Sequence, residues 1–268
     1  RSMRGRKASS LGLLPSLLRR YPTYEENIRL YTVMAAHEVG HLEFGTYALN
    51  IATLGDLIAD VQRRYAARDS RDERDAQEIQ VAPFAPVTRT TVQTLGQLFA
   101  LYPQPGVIRD LWTVLEDARV EYLLRHEYPG LKADLARQAQ DAIRTHTLTQ
   151  GMTVREIVVD ALLLLSTAEP GTFQVPGSIE GVVERAWAQC QAILCPIATA
   201  ADVVRVADRV YVLLDELLTP VTLRQQTDDP KQEPETDLGV GPTASETQTD
   251  QYKPITNWVY RGAMNPDI

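Results

Sequence analysis

The sequence predicts a mainly α-helical protein. Most of the chain between residues 23 and 218 carries apolar residues at helical spacing, and clusters of proline and glycine separate these stretches. Strand signals are scarce, and residues 81–87 and 88–92 are the only places where a strand is expected to fit. Hydrophobic residues make up 44% of the chain and charged residues 23%, values typical of a globular protein that buries a core.

The first predicted helix begins at Tyr24. Thr23 is the expected N-cap, and Glu26 stands three residues later, the spacing of a capping box. Apolar residues then follow so densely that the helix is predicted to be buried on most sides. Gly45 is the expected C-terminal stop.

The remaining elements follow from the same periodicity. Residues 47–67 are predicted to be helical, and the mixed charge run of residues 63–78 is interpreted as a solvated helix end or loop. The strongest later prediction is a second buried helix over residues 107–126. The other predicted helices cover residues 91–101, 131–147, 154–166, 179–193 and 199–218.

Four regions are expected along the chain. Residues 1–22 form a basic lead-in, and residues 23–223 form the helical domain. Residues 224–251 are polar and acidic and are expected to be a disordered linker. Residues 252–268 regain aromatic and apolar side chains, which favours a tail that docks on this domain or leads into another.

Charge and composition argue against several classes of function. The net charge of −8 argues against a nucleic-acid-binding protein, which usually carries a basic stripe. No apolar run reaches the roughly 18–20 residues that a membrane span needs. Two cysteines are too few for a disulfide framework and fit a reducing compartment, so a cytoplasmic protein is expected.

One motif in the first predicted helix has the spacing of a metal site: His37-Glu38-Val39-Gly40-His41. Histidines four residues apart lie on one face of a helix, where both imidazoles can bind one Zn²⁺. Strings of this pattern also arise by chance. In a largely apolar helix, however, burying three such side chains without partners costs several kcal/mol, which favours the metal site.

Glu38 follows the first histidine and is displaced from it by about 100° around the helix. Its carboxylate is therefore predicted to reach a zinc-activated water without binding the metal. A carboxylate placed there is a general base for hydrolysis of a peptide bond.

A third ligand is expected from the second buried helix, since catalytic zinc commonly has three protein ligands. Glu116 is the preferred candidate, and Asp117 and Glu121 remain alternatives. Asp117 and Glu121 are four residues apart, so one of them is expected to orient an imidazole. Arg119 is predicted to pair with a carboxylate or to bind a developing oxyanion.

Two segments resemble a known family. The segment 34–46 and the segment 101–131, with its string Glu116-Asp117-Ala118-Arg119-Val120-Glu121, are similar to the NorD and CbbO accessory proteins. The second string is also similar to one in the CobT subunit of cobaltochelatase. The resemblance implies a cytoplasmic adaptor that works with a MoxR-type AAA+ ATPase on a metalloenzyme client. It also implies a von Willebrand factor A domain, which these 268 residues do not contain, and makes residues 252–268 a candidate lead-in to it.

Two hypotheses follow from the sequence. The first is a zincin-like, gluzincin-type metallopeptidase domain in which His37, His41 and Glu116 bind zinc and Glu38 is the general base. The second is a zinc-stabilised scaffold of a von Willebrand-type adaptor, without turnover. Both hypotheses require the metal, and they differ in the role of Glu38.

Overall fold

A computed structural model of the chain describes residues 19–76, 91–146, 152–167, 175, 177, 179–218, 252–256, 258, 260–261 and 264–266. Within these residues the secondary structure is helical and contains no strand, which confirms the mainly α prediction. Most of the strand candidate at residues 81–92 lies outside the described residues, as do the greater part of the basic lead-in and the acidic linker. The helices are α1 (Tyr24–Glu43), α2 (Gly55–Ala76), α3 (Leu95–Phe99), α4 (Pro105–Glu127), α5 (Lys132–Thr145), α6 (Val154–Thr167), α7 (Glu180–Cys190) and α8 (Ala200–Leu218).

The ends of α1 form as the sequence predicts. The Thr23 side chain accepts a hydrogen bond from the Glu26 backbone N–H, and its hydroxyl donates to the Glu26 carboxylate at 2.8 Å. At the other end Gly45 has a φ of 77°, a left-handed conformation that only glycine adopts without strain. These two caps fix the length of the helix that carries the histidine motif.

Gly40 lets α1 approach α4 closely. A Cβ atom added at Gly40 would lie 2.8 Å from the Val120 Cγ1 and 3.3 Å from a methyl group of Leu124. Val120 is β-branched and fully buried, so it has little freedom to move away. The glycine before the second histidine therefore serves helix packing.

Gly40→Ala is expected to lower the free energy of unfolding by about 1 kcal/mol. Overpacking a core costs about 1–3 kcal/mol, and alanine recovers about 1 kcal/mol of helix propensity. Urea denaturation measures the difference. The control is Gly55→Ala, because nothing lies within 4 Å of a Cβ at that helical position. A gain in stability for Gly40→Ala equal to that for Gly55→Ala would contradict the close approach.

The segment between α1 and α3 differs from its prediction. Instead of one helix over residues 47–67, two short 3-10 turns, Thr46–Ala48 and Ile51–Leu54, come before α2. Asn50 separates them, and its side chain accepts a hydrogen bond from the Ala52 N–H. The charge run of residues 63–78 is helical as far as Ala76.

Helix α4 is the centre of the fold. It packs against α1, α3, α6 and α8, and residues 110–121 are buried without interruption. The apolar residues around its first half belong to a large core shared with α2, α3, α6, α7 and α8. Its second half contributes Val120 and Leu124 to a smaller core between α1 and α5.

The described residues of 252–266, here called the C-terminal segment, dock on α4. The Tyr252 hydroxyl and the Ile255 N–H both donate to the Asp110 carboxylate, at 2.8 and 2.7 Å. Trp258 enters the large core and Tyr260 enters the small one. The segment therefore contacts α4 near its beginning and again near its end.

No helix in the described part of the chain has both the length and the apolar character needed to cross a bilayer. The two cysteines are free: Cys190 is buried and Cys195 is partly exposed.

Candidate metal centre

His37, His41 and Asp117 meet where α1 crosses α4. The His37 Nε2 and His41 Nε2 atoms lie 3.1 Å apart. The Asp117 Oδ1 lies 3.4 Å from the first of these nitrogens and 3.3 Å from the second. All three residues are at most 1% exposed.

The spacing of these three atoms suits a metal ion. Ligands about 2.0–2.1 Å from a tetrahedral zinc lie about 3.3 Å from one another. The three measured separations are close to this value. Neither oxygen of Asp117 has a hydrogen-bond partner among the described residues, although both are buried. A buried carboxylate without partners is rare, and a cation between the three groups would satisfy it.

His41 is held in the tautomer that a metal needs. Its Nδ1 lies 3.0 Å from the Thr46 Oγ1, and the Thr46 hydroxyl donates its proton to the Glu116 carboxylate. A hydroxyl has one proton to give, so the Thr46 oxygen accepts from the Nδ1–H of His41. In neutral His41 the lone pair then lies on Nε2, which faces Asp117.

His37 has a carboxylate on its outer side. The Glu121 Oε1 lies 3.8 Å from the His37 Nδ1, which has no hydrogen-bond partner among the described residues. Burial raises the pKa of Glu121, but the positive charges around it, first that of Arg261 and then that of Arg125, together hold the pKa below its ordinary value. A charged carboxylate at this position favours a proton on Nδ1 and leaves Nε2 free for a metal.

Electrostatics also keep Asp117 ionised. Burial raises its pKa, but the two neighbouring imidazoles in their protonated form lower it by more, so in the metal-free protein the pKa lies below the ordinary value for aspartate. An ionised carboxylate and two imidazole lone pairs are the donor set that zinc commonly accepts.

On α4 the structure brings one of the alternative third ligands, and not the preferred one, to the two imidazoles, while Arg119 pairs with a carboxylate, one of its two expected roles. Asp117, and not Glu116, lies beside the two imidazoles. Glu116 pairs with Arg119, whose Nε lies 2.9 Å from Oε2 and whose Nη2 bonds Oε1. Glu116 therefore contacts the histidines only through Thr46. Arg119 also donates to the backbone carbonyls of Phe44 and Ala198, at 3.1 and 3.3 Å.

Glu38 and Tyr47 are the partly exposed members of the site. The rings of Tyr47 and His41 have centroids 6.1 Å apart. Burial and the nearby charges of Glu38, Asp117 and Glu116 raise the pKa of Tyr47 to about 12. Its hydroxyl therefore remains a hydrogen-bond donor at neutral pH.

The other two histidines stay apart from this cluster. The His146 Nε2 bonds Asp160 at 2.6 Å, and His126 stacks on Tyr122. Sequence reasoning missed Thr46, Tyr47, Tyr260 and Arg261 as parts of the site. Thr46 and Tyr47 follow the histidine helix closely and could have been considered, whereas nothing in the sequence singles out Arg261.

The fold and the cluster define a mainly helical protein with a candidate metal centre of two histidines and one aspartate. Comparisons with protein-family models, curated proteins and solved structures gave no match to this chain.

Proposed function

We propose that this chain is a zinc-dependent hydrolase of the metallopeptidase type, with a zincin-like site in which His37, His41 and Asp117 bind the metal. The observation that carries the proposal is the triangle of buried donor atoms, 3.1 to 3.4 Å apart, on crossing helices. Glu116 is replaced as the proposed third ligand, because it is engaged by Arg119 and Thr46.

The number of protein donors favours a catalytic over a purely structural site. Structural zinc usually has four protein ligands, whereas catalytic zinc has three and keeps one position for water or substrate. Zinc supplies the activation of that water by lowering its pKa to about 7. Three donors come together here in the described residues.

Glu38 is the proposed general base. It follows His37 on α1 and is partly exposed, whereas the three proposed ligands are buried. Glu38 would take a proton from the attacking water and transfer it to the leaving amine. The Tyr47 hydroxyl would donate a hydrogen bond to the oxygen that becomes negative in the transition state.

Glu38→Gln is expected to retain about one zinc per chain. It is also expected to lose at least about 100-fold in peptidase rate, since general acid–base catalysis contributes about 10²–10⁴-fold. Zinc content is measured by elemental analysis, and activity with fluorescein-labelled casein. The matched control is Glu43→Gln on the same helix, because Glu43 is exposed and its hydrogen-bond partner among the described residues is the Tyr128 hydroxyl. Equal activity in Glu38→Gln and wild type would refute the proposed base.

A second candidate function is a zinc-stabilised scaffold without turnover, in an adaptor of the kind that the NorD and CbbO resemblance implies. The complete burial of the three donors favours it, since a closed site protects a metal that supports the fold. In that case wild type and Glu38→Gln contain equal zinc and neither cleaves casein. Removal of zinc by a chelator then lowers the melting temperature of both equally.

A further inference from the structure

The C-terminal segment supplies two side chains to the wall of the metal centre. The Tyr260 hydroxyl donates to the Glu121 Oε1 at 2.7 Å, and the Arg261 Nε donates to the same oxygen at 2.8 Å. Arg261 and Glu121 are fully enclosed, with 3% and 0% of their surfaces exposed. Two donors on one oxygen fix the carboxylate in place.

The fixed oxygen is also the one nearest to His37. It lies 3.8 Å from the His37 Nδ1, a buried atom without a hydrogen-bond partner in the described residues. On the other side of the ring, the His37 Nε2 belongs to the proposed ligand triangle. The chain of contacts thus runs from Arg261 through Glu121 and His37 to the metal position.

We propose that the C-terminal segment is an integral part of the metal centre, with Tyr260 and Arg261 acting as positioning residues. They hold the Glu121 carboxylate beside His37 and thereby set the affinity for the metal. This inference rests on the proposed metal site and is independent of whether the site has turnover. Groups that orient a histidine ligand are commonly worth about 10–100-fold in metal affinity.

Arg261 also ties the segment to a third element. Its Nη1 and Nη2 atoms donate to the Ser166 hydroxyl at 2.8 Å and to the Ser166 carbonyl at 3.1 Å, at the end of α6. The planar guanidinium of Arg261 can bridge α4 and α6 only when the segment is docked. Docking and metal binding are therefore coupled, and the coupling is reciprocal: metal stabilises the docked segment by the same factor by which docking strengthens metal binding.

The chain offers a matched pair of variants. Tyr260→Phe removes a hydroxyl that bonds Glu121, whereas Tyr252→Phe removes a hydroxyl in the same segment that bonds Asp110 at 2.8 Å. Both changes delete one hydrogen bond to a buried carboxylate of α4. Of these two hydroxyls, the one of Tyr260 bonds the carboxylate beside His37. Arg261→Met removes the larger contact, and Tyr260→Phe keeps the test valid if Arg261→Met does not fold.

Zinc affinity of the full chain is measured by competition with a chromophoric chelator, and the coordination by the visible spectrum after Co²⁺ substitution. Arg261→Met is expected to weaken zinc binding by about 10–100-fold and to change the Co²⁺ spectrum, with a smaller effect in the same direction for Tyr260→Phe. Tyr252→Phe leaves both unchanged. The double variant Glu121→Gln/Arg261→Met binds zinc no more weakly than Glu121→Gln alone, because both changes act through one carboxylate.

Hydrogen exchange provides a second readout. The Arg261 backbone N–H bonds the Trp258 carbonyl at 3.1 Å, and its exchange is expected to slow when zinc is added to wild type.

If wild type binds zinc but Tyr260→Phe and Arg261→Met bind it equally well, the role of the segment is refuted and the metal site stands. If wild type binds no zinc, the proposed metal site itself is refuted, and this inference with it.

Discussion

Asp117→Asn is expected to abolish stoichiometric zinc binding. Structural zinc contributes about 10–16 kcal/mol of binding free energy, so one of three protein ligands accounts for several kcal/mol, on the order of a 10³-fold loss in affinity. The purified variant should contain a small fraction of the zinc found in wild type. Its fold in metal-free buffer should be retained, because neither Asp117 oxygen has a hydrogen-bond partner in the described residues. Elemental analysis and circular dichroism on the same sample test both statements.

Glu116→Gln is the matched comparison, one residue away on the same helix. It keeps the three donor atoms, and the contact that it alters beside the proposed ligands is the outer one through Thr46, so its affinity should fall by no more than about 10–100-fold. It also removes the charge that pairs with Arg119, so zinc is measured per folded protein, with circular dichroism on the same sample. Near-stoichiometric zinc in Glu116→Gln together with its loss in Asp117→Asn is the expected result. Zinc lost in Glu116→Gln and retained in Asp117→Asn would show that Glu116 is the third ligand.

Arg119→Met is expected to have the largest effect on stability. The Arg119 side chain is 1% exposed and is paired with Glu116, which is 0% exposed. Removing one partner of a buried ion pair costs about 3–5 kcal/mol, because the other charge is left without compensation. The carbonyls of Phe44 and Ala198 also lose a donor. The free energy of unfolding from urea denaturation of metal-free protein measures the loss.

Two further variants test whether the loss of stability comes from the buried Arg119–Glu116 pair. Arg63→Met removes an ion pair with Asp60 in which the Arg63 side chain is 76% exposed and the Asp60 side chain 45%. Because water screens such pairs, this variant should change the free energy of unfolding little. The double variant Arg119→Met/Glu116→Gln should be more stable than Arg119→Met, since neither charge of this pair is then left buried without its partner. A loss below about 1 kcal/mol for Arg119→Met would show that the pair is not buried in solution.

The helix that carries the histidines could be predicted almost fully from local sequence. Its N-cap, its glycine stop and the shared face of His37 and His41 depend on spacings within one helix. Residues 47–67 were harder to predict. Their apolar content is compatible with one long helix, but the Asn50 side chain bonds the backbone and supports a turn instead.

The choice of Asp117 over Glu116 could not be made from the sequence. Neighbouring residues on a helix differ by about 100° in direction, so the ligand depends on which side of α4 faces α1. An amphipathic helix reveals its orientation through its polar face. Residues 110–121 are buried on every side, so the pattern of α4 contains no such information.

The contribution of the C-terminal segment was beyond sequence reasoning for another reason. Arg261 and Glu121 are separated by 140 residues, and a single arginine in an aromatic segment has no distinguishing pattern. The prediction that residues 252–268 dock on something followed from their apolar content. The place of docking depends on buried carboxylates of α4 that become visible only in the folded chain.

The enclosed position of α4 also determines how freely the sequence can vary. In α5 the buried residues form one stripe, Leu135, Gln138, Ala139 and Ala142, so the positions outside it accept most polar residues at small cost. Helix α4 has no such permissive side between residues 110 and 121. Five of those twelve positions carry charged groups (Asp110, Glu116, Asp117, Arg119 and Glu121), four of them with specific hydrogen-bond partners. A library of variants of this protein would therefore lose members along the whole of that stretch, and the survivors would show no helical period.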